Sequence, residues 1–181
     1  MTFINKKENI KYFISNEFHP KFLTPISKNL TDKLNNHWDD YDEVFHCCNL
    51  IERIKKEENI NIDFHVLTKD DVCVGIALAS YSNIKLDIFF NSSINIKENL
   101  NDILIFNYFH ISSEARGNGS VWIKEIINYY KSRDFKSIYL KSSHEKVFSL
   151  YNRLGIELEE YSSWSDNKLF LRQGKIFKII L

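Results

Sequence analysis

From Asn61 onward, apolar and polar residues alternate. Ile62, Phe64 and Val66 recur at every second position, the period of a strand buried on one face. Lys69-Asp70-Asp71 interrupts the pattern as a turn, and Val72 to Ser80 reads as the return strand of a hairpin. Ile84, Leu86 and Ile88 alternate again and predict a further strand, followed by a polar loop from Asn91 to Asn101. Ile103 to Ile111 is almost continuously apolar and aromatic, as a central strand covered on both faces would be. Before Asn61 the period is longer: residues 26–38 and 43–58 read as helices. In the second, Val44, Cys47, Ile51 and Ile54 share a face, with Glu52 and Lys56 one turn apart outside. After the central strand the helical period returns up to about Arg133, with Trp122, Ile126, Tyr129 and Tyr130 on one side. Ser137 to Leu140 predicts a short strand. Ser142 and Glu145 have capping-box spacing ahead of a helix through Val147, Leu150, Tyr151 and Leu154 that stops at Gly155. Ile156 to Tyr161 and Lys168 to Leu181 close the chain as two strands. The expected fold class is α/β: a mixed, mostly antiparallel central sheet flanked by helices. It is expected as one domain over residues 1–181, with 1–60 a helical opening and 61–181 the sheet core.

Composition narrows the function classes. The 181 residues are 44% hydrophobic and 27% charged, enough apolar mass for a packed core and unlike a disordered chain. Lys+Arg and Asp+Glu are both 24, without the basic surplus of a protein that grips phosphate backbones, so no nucleic-acid partner is expected. The balance is uneven along the chain. Residues 1–111 carry 12 basic against 16 acidic side chains, and residues 112–181 carry 12 against 8. Three cysteines (Cys47, Cys48 and Cys73) do not make a disulfide framework. The first two diverge by roughly 100° around a helix, so they are poorly placed to share a metal with the third. The longest apolar run, Val72 to Ala79, is far below the ~20 residues of a membrane helix. With no secretory pattern visible, the expectation is a cytoplasmic protein with no membrane and no metal.

The chemistry concentrates where glycine does. Two of only five glycines lie in Glu114-Ala115-Arg116-Gly117-Asn118-Gly119-Ser120, between the central strand and a helix. The first amides of a helix lack internal partners, and the helix dipole makes that end electropositive. Glycines let the backbone approach an anion, and Arg116 adds a forked cationic donor. A nucleoside-triphosphate loop would need Lys after Gly119, where Ser120 stands. A dinucleotide loop would need glycine at 122, where Trp122 stands.

The segment Ile111-Ser112-Ser113-Glu114-Ala115-Arg116-Gly117-Asn118-Gly119 resembles the cofactor-binding signature of the GNAT acetyltransferase superfamily. That signature ends a strand with Val or Ile, continues roughly Pro-Glu-x-Arg-Gly-x-Gly and opens a helix. Leu150-Tyr151-Asn152-Arg153-Leu154-Gly155-Ile156 is similar to the family's second landmark, Leu/Phe-Tyr-x-x-x-Gly-Phe. The hairpin at Asp70-Asp71 with Val72 to Gly75, and the close at Gly174 to Leu181, agree in order, so the likeness covers roughly residues 60 to 181. Val121 takes the loop's last small position, His144 stands where Asn is common and Val147 where Ala is common.

The resemblance implies acetyl-CoA as co-substrate and direct transfer of its acetyl group to an amine on a small molecule, peptide or protein. A second copy of the chain is a further candidate partner. Amides of Gly117, Asn118, Gly119, Ser120 and Val121, with Arg116, would hold the pyrophosphate, with His144 nearby. The strand end at Phe109 to Ile111 would pair with the pantetheine arm and offer an amide to the oxyanion. Tyr151 falls on the family's tyrosine, which protonates the departing thiolate. A base must also act, because deprotonating an amine of pKa ~10.4 at pH 7 costs about 4–5 kcal/mol. His110 and Asp87 are the titratable candidates, and Asn107 could only orient a water. Under unbroken alternation His110 points away from the face shared by Asn107 and Phe109, as a core histidine. The acidic and aromatic run Trp38 to Glu43 would border the acceptor. His46, one turn after Asp42, reads as a surface pair. The alternative function is a module that keeps the fold to bind CoA or a protein and has lost the chemistry, for which Val121 and Val147 argue.

Overall fold

The computed structural model describes residues 1–7, 9–28, 30, 43–84, 86–90, 94–164, 168 and 171–181, the side chains of Lys6, Lys7, Asp87 and Ile88 excepted. Eight strands form one sheet: β1 (Thr2–Lys7), β2 (Ile10–Ser15), β3 (Asn61–Lys69), β4 (Val72–Tyr81), β5 (Ile103–Ile111), β6 (Ser137–Ser142), β7 (Ile156–Trp164) and β8 (Leu171–Ile180). Their order is β1-β2-β3-β4-β5-β6-β8-β7. Every neighbouring pair is antiparallel except β5 and β6, which run parallel because a helical crossover joins them. The helices are α1 (Glu43–Lys55), α2 (Gly119–Lys131) and α3 (Glu145–Leu154), with residues 24–28 and 30 also helical. Among the described residues no helix is long and apolar enough to cross a membrane.

Apolar side chains cover both faces of the sheet. On the first face Cys47, Ile51 and Ile54 of α1, with Phe22 and Ile26, pack on Phe64, Val66, Ile76 and Leu78. On the second, Trp122, Ile123, Ile126 and Tyr130 of α2 and Tyr151 of α3 pack on Leu104, Phe106, Ile138 and Phe177. Glu52 and Lys56 form the expected outer pair at 2.9 Å. The second face also encloses a polar chain. Tyr12 OH lies 2.5 Å from His65 Nδ1, His65 Nε2 lies 2.8 Å from Tyr130 OH, and Tyr130 OH donates to Asp63 at 2.9 Å. Arg133 donates to the same Asp63 oxygen at 3.2 Å. Burial drives the His65 imidazole down to about 3. It pushes the Asp63 carboxyl above its ordinary value, against the hydrogen bond from Tyr130 and the charge of Arg133.

The structure departs from the sequence expectations at three places. The supposed helical opening begins with a β-hairpin: Ile10, Tyr12 and Ile14 alternate and pair along β3. The helix expected over 26–38 is helical at residues 26–28 and 30, and its remainder lies outside the described set. Ile84 to Ile88 is not a strand, because Leu86–Phe89 closes a single helical turn. The capping box does not form. His144 is the N-cap of α3, and Ser142 Oγ accepts from the His144 amide at 3.2 Å instead of capping the helix. As expected, Gly155 ends α3; its backbone is extended, and glycine is needed because a Cβ there would lie 2.2 Å from the Lys178 carbonyl oxygen.

One irregularity in β5 positions the site. Leu78 pairs with Tyr108 and Ala79 with Phe106, so Asn107 is an extra residue on β5, a β-bulge. The bulge resets the alternation. Ile103 and Ile105 pack in the first-face core, as does Tyr108, whereas Phe109 and Ile111 join Leu104 and Phe106 on the second.

Candidate active site

The centre of the sheet opens as a wedge. β5 and β6 pair only from Ile103–Ser137 to Phe106–Leu140, and beyond that β5 continues to Ile111 with no strand on that edge among the described residues. Its other edge stays bonded to β4, ending with the Ser112 amide on the Val74 carbonyl at 2.9 Å. The free edge therefore offers main-chain groups to an extended ligand. Half-buried Phe109 and Ile111, two of the predicted cofactor residues, lie on this segment.

The glycine turn stands at the mouth of the wedge. A short 3-10 turn (Ser113–Ala115) leads into it, and Gly117 takes φ +91°, the left-handed region that disfavours any Cβ. The amides of Ala115, Arg116 and Asn118 are used inside the turn, and the first helical bond is Trp122 N to Asn118 O at 2.9 Å. The amides of Gly117, Gly119, Ser120 and Val121 make no main-chain hydrogen bond, and the N-cap Asn118 spends its side-chain amide on the Ala115 carbonyl. Four unbonded donors thus converge at the positive end of α2. A Cβ at Gly119 would sit 3.5 Å from Ile111 Cδ1, so this helix start lies against the free end of β5. Arg116 is exposed and makes no ion pair with the described residues. Val121 is 49% exposed, so its bulk turns outward and leaves the amides uncovered. Glu114 anchors the turn: Lys28 donates to it at 3.2 Å, Ser112 donates at 3.2 Å and Lys69 donates to its carbonyl oxygen at 3.2 Å. The Lys28 hydrogen bond is the main cause holding its carboxyl below the ordinary value.

On the first face, past the bulge, His110 is buried at 8% exposure. Its Nδ1 lies 3.4 Å from Glu43 Oε1 at the start of α1, and its Nε2 has no hydrogen-bond partner. Asn107 turns to the same face, donating to Ser80 Oγ at 2.8 Å. The expectation that Asn107 shares a face with Phe109 opposite His110 is thereby corrected. The His46 ring packs 6.4 Å from Tyr108. The sequence had not linked Glu43 to His110. The bulge hid the link, and the only signal for it was the position of Glu43 at a helix start.

Tyr151 lies across the wedge on α3, 5% exposed, its ring 5.4 Å from that of Phe177. Burial raises its phenol far above the ordinary value. His144 is exposed at the start of α3, just past the end of β6. The Asp87 side chain and residues 38–42 lie outside the described set. Cys47 and Cys73 are buried and Cys48 exposed, and no group of three or more metal-ligating side chains exists among the described residues.

No family model matches the chain, and no curated protein is similar to it in sequence. Solved structures are similar in fold. A ribosomal-protein-S18-alanine N-acetyltransferase from Escherichia coli superposes with a TM-score of 0.56 at 13% identity, covering 93% of each chain. An N-acetyltransferase from Staphylococcus aureus gives 0.56 at 11% identity, over 93% of this chain and 98% of its own. A GNAT superfamily phosphinothricin acetyltransferase from Sinorhizobium meliloti, solved in complex with AcCoA, gives 0.57 at 12% identity, over 94% and 88%. The chain has the GNAT acetyltransferase fold. Within that GNAT fold the wedge between β5 and β6, the glycine turn and the α2 N-terminus are contiguous.

Proposed function

We propose that this chain is an N-acetyltransferase that takes the acetyl group from acetyl-CoA and passes it directly to an amine on a small molecule, peptide or protein. The observation that carries the reading is the set of unbonded amides of Gly117, Gly119, Ser120 and Val121 beside the unpaired end of β5; the Asn118 amide, expected to join them, is spent on the Ala115 carbonyl. A diphosphate satisfies such a cradle without a buried lysine, and Arg116 adds a charge-assisted donor at its rim. An amide-rich arm adds to the free edge of β5 as a strand would. A thioester carbonyl held beside Phe109 to Ile111 directs its developing oxyanion at a fixed main-chain donor.

The amine lone pair then forms the C–N bond as the C–S bond breaks. Tyr151 gives a proton to the thiolate, and the amide nitrogen releases one. Desolvation keeps that phenol protonated, so it donates only when a strong base such as a thiolate develops beside it. His144 borders the same opening from the β6 side. The test is a calorimetric titration with CoA, then thiol release from acetyl-CoA across an amine panel. Tight CoA binding with no turnover on any amine would leave the protein a binding module.

A further inference from the structure

Resting on the acetyl-transfer reading above, we propose that His110 is the base that takes a proton from the acceptor ammonium, with Glu43 as its positioning residue. The bulge at Asn107 turns His110 from the α2 side of the sheet, where the cofactor amides lie, to the α1 side. On the α2 side Trp122 packs 5.1 Å from Phe109, and in this proposal the acceptor comes to the free edge of β5 from the α1 side. His110 lies within that free segment, on the α1 side of the sheet.

The ring's two nitrogens have different surroundings. Nδ1 faces the Glu43 carboxylate at 3.4 Å, and the pair is nearly buried, with side-chain exposures of 8% and 12%. A carboxylate beside one nitrogen selects the tautomer that carries hydrogen there and leaves the lone pair on the other. That other nitrogen, Nε2, is buried and has no hydrogen-bond partner. Buried polar atoms are nearly always bonded, so this nitrogen, with no protein partner, is the one open to a proton from a ligand. Among the described residues, the other titratable side chains of this layer include His46 and Cys47 from α1, Tyr108 from β5 and Tyr139 from β6. β4 pairs the apolar Ile76 with His110 and adds buried Cys73. Burial pushes the Cys47 thiol up to about 12 and the Cys73 thiol up to about 11, so neither competes as a base at pH 7.

The step balances. Nε2 takes one proton from the ammonium and the ring becomes imidazolium beside Glu43. The neutral amine is then the nucleophile, and the imidazolium returns its proton to solvent after transfer.

The experiment compares the unmodified full chain with His110→Gln, using an alkylamine that turns over and its fluorinated analogue, whose nitrogen is largely neutral at pH 7. His110→Gln is expected to leave acetyl-CoA affinity within about threefold and to slow the alkylamine at least 100-fold, in line with general-base catalysis. The fluorinated analogue should lose less than tenfold. Equal losses for both amines overturn the assignment. Failure of the unmodified protein to bind acetyl-CoA overturns the transferase reading itself, a different result in the same titration. Nitrogen-15 correlation spectra of the unliganded protein give a readout that needs no variant to fold. Hydrogen on Nδ1 of His110, lost as the dominant tautomer in Glu43→Ala, is expected. An imidazole protonated on Nε2 in the unmodified protein overturns the dyad.

Discussion

Gly117 has φ +91°, with no atom within 4 Å of where a Cβ would stand, so the obstacle to any other residue is backbone conformation rather than space. Gly117→Val should cost about 1–3 kcal/mol of stability by that strain, or tilt the turn to escape it. Either way the amides lose their convergence, and the CoA dissociation constant should rise in calorimetry while Val121→Ala, at an exposed position, leaves it unchanged. Tyr151 allows a separation of roles. Tyr151→Phe removes only the hydroxyl and keeps the ring on Phe177, so the urea midpoint should hardly move. Acetyl transfer should fall about 100-fold at unchanged CoA affinity, and an unchanged rate would remove the phenol from the mechanism. Both positions were legible in the sequence, because sparse glycines and a tyrosine at fixed spacing are local signals. The orientation of His110 was not legible. It depends on an insertion of one residue in β5 relative to β4, and no single strand's pattern reveals its partner's register.

The elements show the same division between local and long-range information. β3, β4 and β5 were readable because each carries a full run of alternating or continuous apolar residues. The hairpin β1–β2 was missed because six-residue strands with lysines between the apolar positions give too few repeats to establish a period. Leu86–Phe89 was read as a strand because three apolar residues in alternation do not separate a short strand from a helical turn. The end of α3 was located correctly for a reason the sequence does not contain. Gly155 is there because β8 passes so close that a Cβ would meet the Lys178 carbonyl. Gly155→Ala must therefore push α3 and β8 apart, at about 1–3 kcal/mol for overpacking. The urea midpoint should drop with an unchanged slope. Because α3 carries Tyr151, under the proposed function the acetylation rate should fall more than CoA affinity, which is assigned to amides at and before the start of α2. A larger loss of CoA affinity than of rate would show that α3 does not act through Tyr151.

For the molecule as a whole, acid stability depends on His65 and Asp63, buried on the second face, and on half-buried Glu98. His65 is neutral in the fold, held down at about 3 against an ordinary 6.5, chiefly by desolvation and secondarily by Arg133. Above pH 6.5 neither state binds this proton and His65 contributes no slope. As pH falls below 6.5 the unfolded chain takes up a proton the native chain refuses, so stability drops by about 1.4 kcal/mol per pH unit until the native ring itself titrates near 3. Asp63 acts in the opposite sense. Its native carboxyl is raised, so between its ordinary value of 3.8 and that raised value the native state binds the extra proton, and the stability this adds is lost as pH rises. Glu98 sides with His65 at lower pH. Burial opposes its charge, but hydrogen bonds from Lys178, Tyr139 and Ser137 bring it to about 2 from 4.5, so its contribution is present above 4.5 and lost as pH falls. The window between pH 6.5 and about 5 is therefore the one in which to look for His65. Urea midpoints at pH 7, 6 and 5 should decline there, and His65→Gln, which can still bond Tyr12 and Tyr130 but does not titrate, should flatten the decline. A wild-type midpoint unchanged from pH 7 to pH 5 would show that the buried chain from Tyr12 to Asp63 takes up a proton without losing its packing.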